Sequence, residues 1–270
     1  MDSTVIGDRS RKYHSREINP RVSPLPSRMA RIARVVIEDV PFHVTQRGNG
    51  RQQVFRSAQD YELYLDLLQR YATDAEFRIL GYCLMPNHVH FIGIPQRAKS
   101  MAEAFGRTHN DYARHFNLSQ RTCGHVWQAR YFSSALDDGH LWNAIAYVER
   151  NPVRARLVER AEEFRWSSAA GRLRSSSATV TARPGLLNTS AWAQRFSAEQ
   201  WREVLVTSLE EEAFGRRLHE ASRRGRPLGD EEFVKELERR SGRRLTPKAV
   251  GRPKTSQKVA GIQLALEYGI

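Results

Sequence analysis

Two apolar runs separated by only two residues are the feature that most constrains the fold. Residues 77–85 and 88–94 each have the length and the apolar content of a strand, and Pro86 and Asn87 between them suit a tight turn. The two runs therefore predict a β-hairpin. A domain built around this hairpin contains an antiparallel sheet.

Periodicity in the flanking sequence extends the hairpin into a domain. The predicted elements are, in order, a strand at 34–46, a helix at 58–75, the hairpin, a helix at 100–116, a strand at 126–136 and a helix at 139–150 that Asn151 and Pro152 should end. The order β-α-β-β-α-β-α predicts an α+β fold. Its first six elements form a ferredoxin-like split βαβ arrangement, an antiparallel sheet with helices on one face.

The chain changes in character on both sides of this domain. Residues 1–28 are rich in Arg, Ser and Pro and predict a disordered leader, so that translation could also begin at Met29. The predicted organisation is a leader at 1–28, the folded domain at 29–171, a linker at 172–196, a mainly helical basic extension at 197–258 and a tail at 259–270.

The charge of the chain points to a polyanionic partner. Lys and Arg number 43 and Asp and Glu 30, a formal net charge of +13. Residues 216–258 alone hold 14 basic and 6 acidic side chains, and such a localised excess favours nucleic acid. Within this segment 225–227 and 251–253 both read Gly-Arg-Pro, the core of an AT-hook, which would lay Arg226 and Arg252 in a minor groove.

Other classes of protein are excluded by composition. The two cysteines form no disulfide framework, and no run of about 18 apolar residues exists to span a membrane. We therefore expect a cytoplasmic protein associated with the nucleoid, without a membrane partner. The sequence leaves monomer and homodimer open.

Two pairs of residues carry candidate chemistry. His88 and His90 are two apart in a strand, so they point to the same face with Cα atoms roughly 7 Å apart and can share a metal ion. Alone, such a pair is a weak signal. Tyr147 and Asn151 are four apart in a helix and share one face, although Tyr147 could simply pack and Asn151 could cap the helix.

The motifs around these residues resemble those of a known family. Residues 81–92 (GYCLMPNHVHFI) closely resemble the histidine motif of REP-associated tyrosine transposases, which belong to the HUH endonuclease superfamily. The further matching stretches are 42–49 (FHVTQRGN), 125–132 (HVWQARYF), 147–155 (YVERNPVRA) and 166–169 (WSSA). They follow one another in the expected order, and the resemblance covers roughly residues 29–255.

The resemblance implies a role for each residue of the two pairs. His88 and His90 would be metal ligands, Asn151 a third ligand and Tyr147 the nucleophile. Related transposases have a glutamine at the position of Asn151. The cofactor would be a divalent cation, Mg²⁺ or Mn²⁺, and two imidazoles with an amide oxygen suit Mn²⁺ better.

The same resemblance implies single-stranded DNA hairpins, REP-like palindromes, as the substrate. The DNA would be nicked and joined through a 5′-phosphotyrosine intermediate. Arg47 and Arg51 could contact phosphates, while Arg130 with Trp127, Tyr131 and Phe132 could stack bases, unless Trp127 is part of the core. Two alternatives remain: a DNA-binding protein that no longer cuts, and a metal-dependent phosphodiesterase that uses water.

Overall fold

A computed structural model describes residues 35–173, 185–207 and 211–246. The strands are β1 (Phe42–Arg47), β2 (Phe77–Met85), β3 (His88–Pro95) and β4 (Phe132–Ala135). The helices are α1 (Ala58–Asp74), α2 (Ser100–Gln120), α3 (Asp138–Glu149), α4 (Asn151–Arg154), α5 (Ser168–Leu173), α6 (Ser190–Arg195), α7 (Ala198–Thr207), α8 (Glu211–Arg224) and α9 (Glu231–Ser241).

The four strands form one sheet in the order β2-β3-β1-β4, and all neighbours are antiparallel. Strands β1 and β2 therefore run parallel with β3 between them, which is the split βαβ arrangement. The α+β class and the hairpin of β2 and β3 are confirmed. Helix α1 begins where predicted because Ser57 and Asp60 form a capping box.

Helices cover both faces of this sheet. Val44, Val89 and Phe91 project from one face into the core that α1 and α2 complete. Ile92 projects from the other face and packs in a second core with Ile145 of α3. The prediction of helices on one face therefore holds for α1 and α2 only, since both sides of the hairpin are apolar and both must be covered.

The ends of several elements differ from the sequence prediction. The first strand begins only at Phe42, after Pro41, and the strand predicted at 126–136 is limited to β4. Helix α3 is capped by Asp137, whose carboxylate accepts from the backbone N–H of His140. Pro152 does not end the helical path but lies in the first turn of α4, where its missing N–H costs nothing.

The C-terminal helices pack on the domain and complete its core. Trp201 of α7 and Leu218 of α8 are fully buried with α3 on the second face of the sheet, and Leu237 of α9 is buried in the first core. The leader 1–28, the tail 259–270 and residues 174–184 of the predicted linker lie outside the described residues. No helix in the described ranges is long and apolar enough to cross a membrane.

A buried ion pair fixes the position of α3. One carboxylate oxygen of Glu149 accepts from Arg172 Nε at 2.8 Å and from Ser168 Oγ at 2.5 Å, and the other accepts from Trp201 Nε1 at 2.8 Å. The side chains of Glu149 and Arg172 are both fully buried, and Arg172 also donates to the Leu80 carbonyl. This cluster ties α3 to α5, α7 and β2.

Candidate active site

His88 and His90 lie side by side on the sheet face that α3 and α8 cover, with ring centroids 5.0 Å apart. The Nδ1 atom of His88 is 2.6 Å from Asn87 Oδ1, and that of His90 is 2.9 Å from His43 Nε2. Within the part of the chain that the structure describes, neither Nε2 atom makes a hydrogen bond. Both Nε2 atoms are therefore available to a ligand.

Both histidines are held in their neutral form. Burial lowers the pKa of His88 to about 3, with help from the positive charges of Arg47 and Arg154. Burial also lowers the pKa of His90 well below its usual value, and His88 and His43 add to this shift. Because a metal ion binds the neutral imidazole, no proton has to be displaced from either ring at neutral pH.

Tyr147 is half-buried on α3 and lies against Arg154, Phe214 and Gly215. The guanidinium carbon of Arg154 lies 3.7 Å above the centre of its ring, and the ring of Phe214 is 6.1 Å away, edge to face. Gly215 of α8 lies against the phenol so closely that a Cβ there would be 2.4 Å from Cε2 and 3.1 Å from the hydroxyl oxygen. Only glycine fits this contact.

Arg154 connects Tyr147 to the histidines, and the sequence analysis missed it. It stacks on Tyr147, donates to the side-chain oxygen of Asn151, and its charge depresses the pKa of both His88 and His90. The nucleophile candidate and the imidazole pair therefore lie within the electrostatic reach of one guanidinium. Its spacing of seven residues from Tyr147, on the same helical side, was the signal that could have found it.

Asn151 is buried at the start of α4, in a different setting from the predicted helix cap. Its Nδ2 donates to the Val148 carbonyl at 3.1 Å, and its oxygen accepts from Arg154. The oxygen that would ligate a metal is thus already engaged by a cation.

An open cavity of about 440 Å³ lies beside the phenol. Its lining includes Tyr147 and Arg154 on one side and Gly215, Arg216 and His219 of α8 on the other. Glu212 also lines the cavity, and its carboxylate is 3.4 Å from the Arg216 guanidinium. Two guanidinium groups outnumber this one carboxylate, and together with the tyrosine hydroxyl they suit a phosphodiester. Nothing in the local sequence of α8 indicated that it would line this cavity.

The donor set fits a divalent cation held mainly by nitrogen. No group of three or more His, Cys, Asp or Glu side chains within the described ranges is placed to hold a metal. The two open Nε2 atoms of His88 and His90 can hold one, if the substrate and water supply the other ligands. Such a set suits a transition metal such as Mn²⁺ better than Mg²⁺.

Arg47 and Arg51 lie at the end of the sheet that carries the histidines. Arg47 is directly opposite His88 in the β1–β3 register, and its charge lowers the pKa of that histidine. Arg51 is exposed and follows the short 3-10 turn after β1, and its carbonyl accepts from Asn87. Both residues thus lie near the turn between β2 and β3.

The aromatic cluster that was expected to stack bases is largely part of the core. Trp127 and Tyr131 are buried, and the indole N–H of Trp127 donates to the His109 carbonyl at 3.0 Å. The stacking role is therefore wrong for these two side chains, and core packing explains them. Arg130 is exposed and borders an open groove of about 690 Å³.

The first Gly-Arg-Pro motif is packed against the sheet. The carbonyl of Arg226 accepts from Ser134 Oγ at 2.6 Å, and Pro227 lines a small cavity beside Phe42. An AT-hook needs a free extended chain, so this placement argues against a minor-groove arm at Arg226. Arg252 and the second motif lie outside the described residues.

Comparison with known proteins defines the class. Residues 36–151 match the family model described as "Transposase IS200 like". Over these residues the chain is similar to IS200-like transposases, and this similarity agrees with the transposase class that the sequence predicted. No curated protein sequence matches the chain.

Two solved structures are similar to it in part. One is a REP-associated tyrosine transposase bound to a REP hairpin, with 18% identity over 60% of this chain and 96% of that one and a TM-score of 0.44. The other is a candidate transposase of Deinococcus radiodurans R1, with 16% identity over 46% of this chain and 90% of that one and a TM-score of 0.32. Both scores are below 0.5, so neither superposition establishes a shared fold.

Proposed function

We propose that this protein nicks and rejoins single-stranded DNA at palindromic hairpins, with Tyr147 as the nucleophile and His88 and His90 as ligands of a divalent cation. The observation that carries the proposal is the position of Arg154. Its guanidinium stacks on Tyr147 and acts electrostatically on both histidines, so the phenol and the imidazole pair can serve one phosphate. The hairpin substrate follows from the resemblance of the motifs.

The residues that line the cavity have separate roles in the proposed reaction. Arg154 and Arg216 hold the phosphate and offset its charge. The oxygen of Tyr147 forms a bond to phosphorus while the bond to the 3′ oxygen breaks. The phenolic proton leaves Tyr147, and the 3′ oxygen ends as a hydroxyl. A bound cation would polarise the phosphate and stabilise the departing oxygen.

This proposal is tested with labelled oligonucleotides that contain imperfect hairpins from the source genome, incubated with the full chain and Mn²⁺. Denaturing electrophoresis should show a shortened strand with a free 3′ hydroxyl and a slowly migrating strand bound to protein. Cleavage without an adduct would indicate a phosphodiesterase that uses water. Binding without cleavage of any hairpin would indicate a DNA-binding protein that has lost the reaction.

Removal of either imidazole should abolish the effect of metal on stability. Mn²⁺ that binds the native state raises the melting temperature by mass action, and His88→Ala or His90→Ala should lose this rise while keeping the fold. The measurement is thermal denaturation with and without Mn²⁺. His125→Ala, at an exposed loop histidine, is the control and should keep the rise. A wild-type rise in both variants would refute ligation by this pair.

A methyl group at Gly215 should uncouple metal binding from cleavage. In Gly215→Ala the new Cβ must displace the Tyr147 ring, because it would otherwise be 2.4 Å from Cε2. We expect single-turnover adduct formation to slow by about 100-fold, the scale for a misplaced reacting group, while the Mn²⁺ effect on melting survives.

The matched control for that variant is Gly106→Ala. Gly106 also lies inside a helix, but an added Cβ there meets nothing within 4 Å. This control should form the adduct at the wild-type rate. Equal rates for Gly215→Ala and wild type would show that the position of the phenol is not limiting.

A further inference from the structure

A chain of buried hydrogen bonds leads from α8 to His90. Ser222 Oγ is 2.7 Å from His43 Nδ1, and His43 Nε2 is 2.9 Å from His90 Nδ1. Ser222 and His43 are each 1% exposed, and the two imidazole rings stack with centroids 5.2 Å apart. His43 and His90 project from the same sheet face, on neighbouring strands.

The hydrogen bonds that link Ser222, His43 and His90 can be arranged in only two ways. A neutral imidazole carries one N–H, so each ring donates through one nitrogen and accepts through the other. If Ser222 donates to His43, then His43 Nε2 donates to His90 Nδ1, and the proton of His90 must be on Nε2. If His90 Nδ1 donates instead, His43 Nδ1 donates to Ser222 Oγ, and His90 Nε2 keeps its lone pair.

Only the second solution is compatible with a metal on His90. Ligation through Nε2 needs the lone pair of that atom, and a ligating histidine is oriented by the acceptor that its other nitrogen finds. His43 is that acceptor, and Ser222 in turn accepts from His43. In this arrangement the hydroxyl of one serine, 179 residues away from His43 in the chain, is the last acceptor, and it supports the tautomer of His90 that binds a metal.

We propose that His43 and Ser222 are positioning residues that hold the ring of His90 in its metal-binding tautomer and orientation. This inference rests on the proposed role of His90 as a ligand. It makes α8 part of the metal centre, although α8 lies outside the region 36–151 that matches the transposase family.

The test measures binding of Mn²⁺ alone, without DNA, to the full chain, by the electron paramagnetic resonance signal of the free ion. Ser222→Ala leaves His43 Nδ1 without its acceptor, and we expect the affinity for Mn²⁺ to fall by about 10-fold or more. Ser222→Thr restores a hydroxyl and should restore most of the affinity. At saturating Mn²⁺ the cleavage rate of Ser222→Ala should return towards the wild-type rate, because the ligand is misaligned and not absent.

A matched control separates this effect from a general loss of stability. Thr108→Ala removes an equally buried helix hydroxyl on the opposite side of the sheet, one that donates to the Ala104 carbonyl. It should leave the affinity for Mn²⁺ unchanged. If Ser222→Ala does not fold, His43→Phe serves instead, because it keeps a ring but offers His90 no acceptor, and its affinity for Mn²⁺ should also fall by 10-fold or more.

The outcomes distinguish this inference from the proposed function. Equal affinity for Mn²⁺ in wild type and Ser222→Ala, or in wild type and His43→Phe, overturns the relay and leaves the ligand role of His90 intact. A wild-type protein that does not bind Mn²⁺ overturns both. Loss of affinity in Ser222→Ala that Ser222→Thr does not restore also overturns the relay, because the hydroxyl would then not be the cause.

Discussion

Tyr147→Phe should lose DNA cleavage by about four orders of magnitude or more, the scale for removal of a catalytic nucleophile. The change deletes one oxygen atom and keeps the ring that Arg154 and Phe214 contact. Binding of hairpin DNA should therefore stay within about twofold of wild type, since the cationic lining of the cavity is unchanged. Rates come from single-turnover cleavage, and affinities from titration of a labelled hairpin.

Tyr131→Phe is the control for that experiment. Tyr131 is buried in the first core, and it lies in 125–132, another of the motifs that resemble the transposase family. This variant should cleave at close to the wild-type rate. Normal cleavage by Tyr147→Phe together with loss of cleavage in Tyr131→Phe would move the nucleophile to the other side of the sheet.

Glu149→Ala should cause the largest loss of stability of any single substitution discussed for this protein. It leaves the Arg172 guanidinium buried without its carboxylate, and breaking a buried pair in this way costs about 3–5 kcal/mol. The indole N–H of Trp201 and the hydroxyl of Ser168 lose their acceptor as well. Urea unfolding followed by circular dichroism gives the free energy of unfolding.

Glu163→Ala is the matched control for Glu149→Ala. Glu163 also pairs with an arginine, Arg160, at 2.8 Å, but the Arg160 side chain is 70% exposed. An exposed pair is screened by water, so its removal should change the free energy of unfolding little. If the two variants unfold at the same urea concentration, the Glu149 cluster is not what fixes α3.

Local sequence patterns predicted the elements that position the histidines. The hairpin was readable because two apolar runs flank Pro86 and Asn87, and a strand period of two residues is enough to bring His88 and His90 to one face. The face of the sheet on which His88 and His90 lie could not be predicted. Because β2 and β3 are buried on both faces, their sequences do not alternate between apolar and polar residues. The strand starts at Phe42 and Phe132 were missed for the same kind of reason, since apolar residues continue into the segments that precede them.

The contacts that complete the site are long-range and left no local signal. Gly215 and Ser222 lie in α8, whose amphipathic sequence predicts that one side of the helix is buried. It does not predict that this side contacts Tyr147 and His43. Arg154 is the exception, because its spacing of seven residues from Tyr147 puts both on the same helical side. For Trp127 the sequence left two roles open, since an aromatic residue near an arginine suits both stacking on a base and packing in a core, and its burial decides for the core.

The most direct measurement is the site of covalent attachment in the protein–DNA adduct. Wild-type protein is trapped with a hairpin oligonucleotide and Mn²⁺, the adduct is digested with protease and nuclease, and the modified peptide is sequenced by mass spectrometry. We expect a 5′-phosphonucleotide on Tyr147, and no such peptide from Tyr147→Phe. A nucleotide on any other residue, or cleaved DNA with a free 5′-phosphate and no modified peptide, would contradict a tyrosine nucleophile on α3.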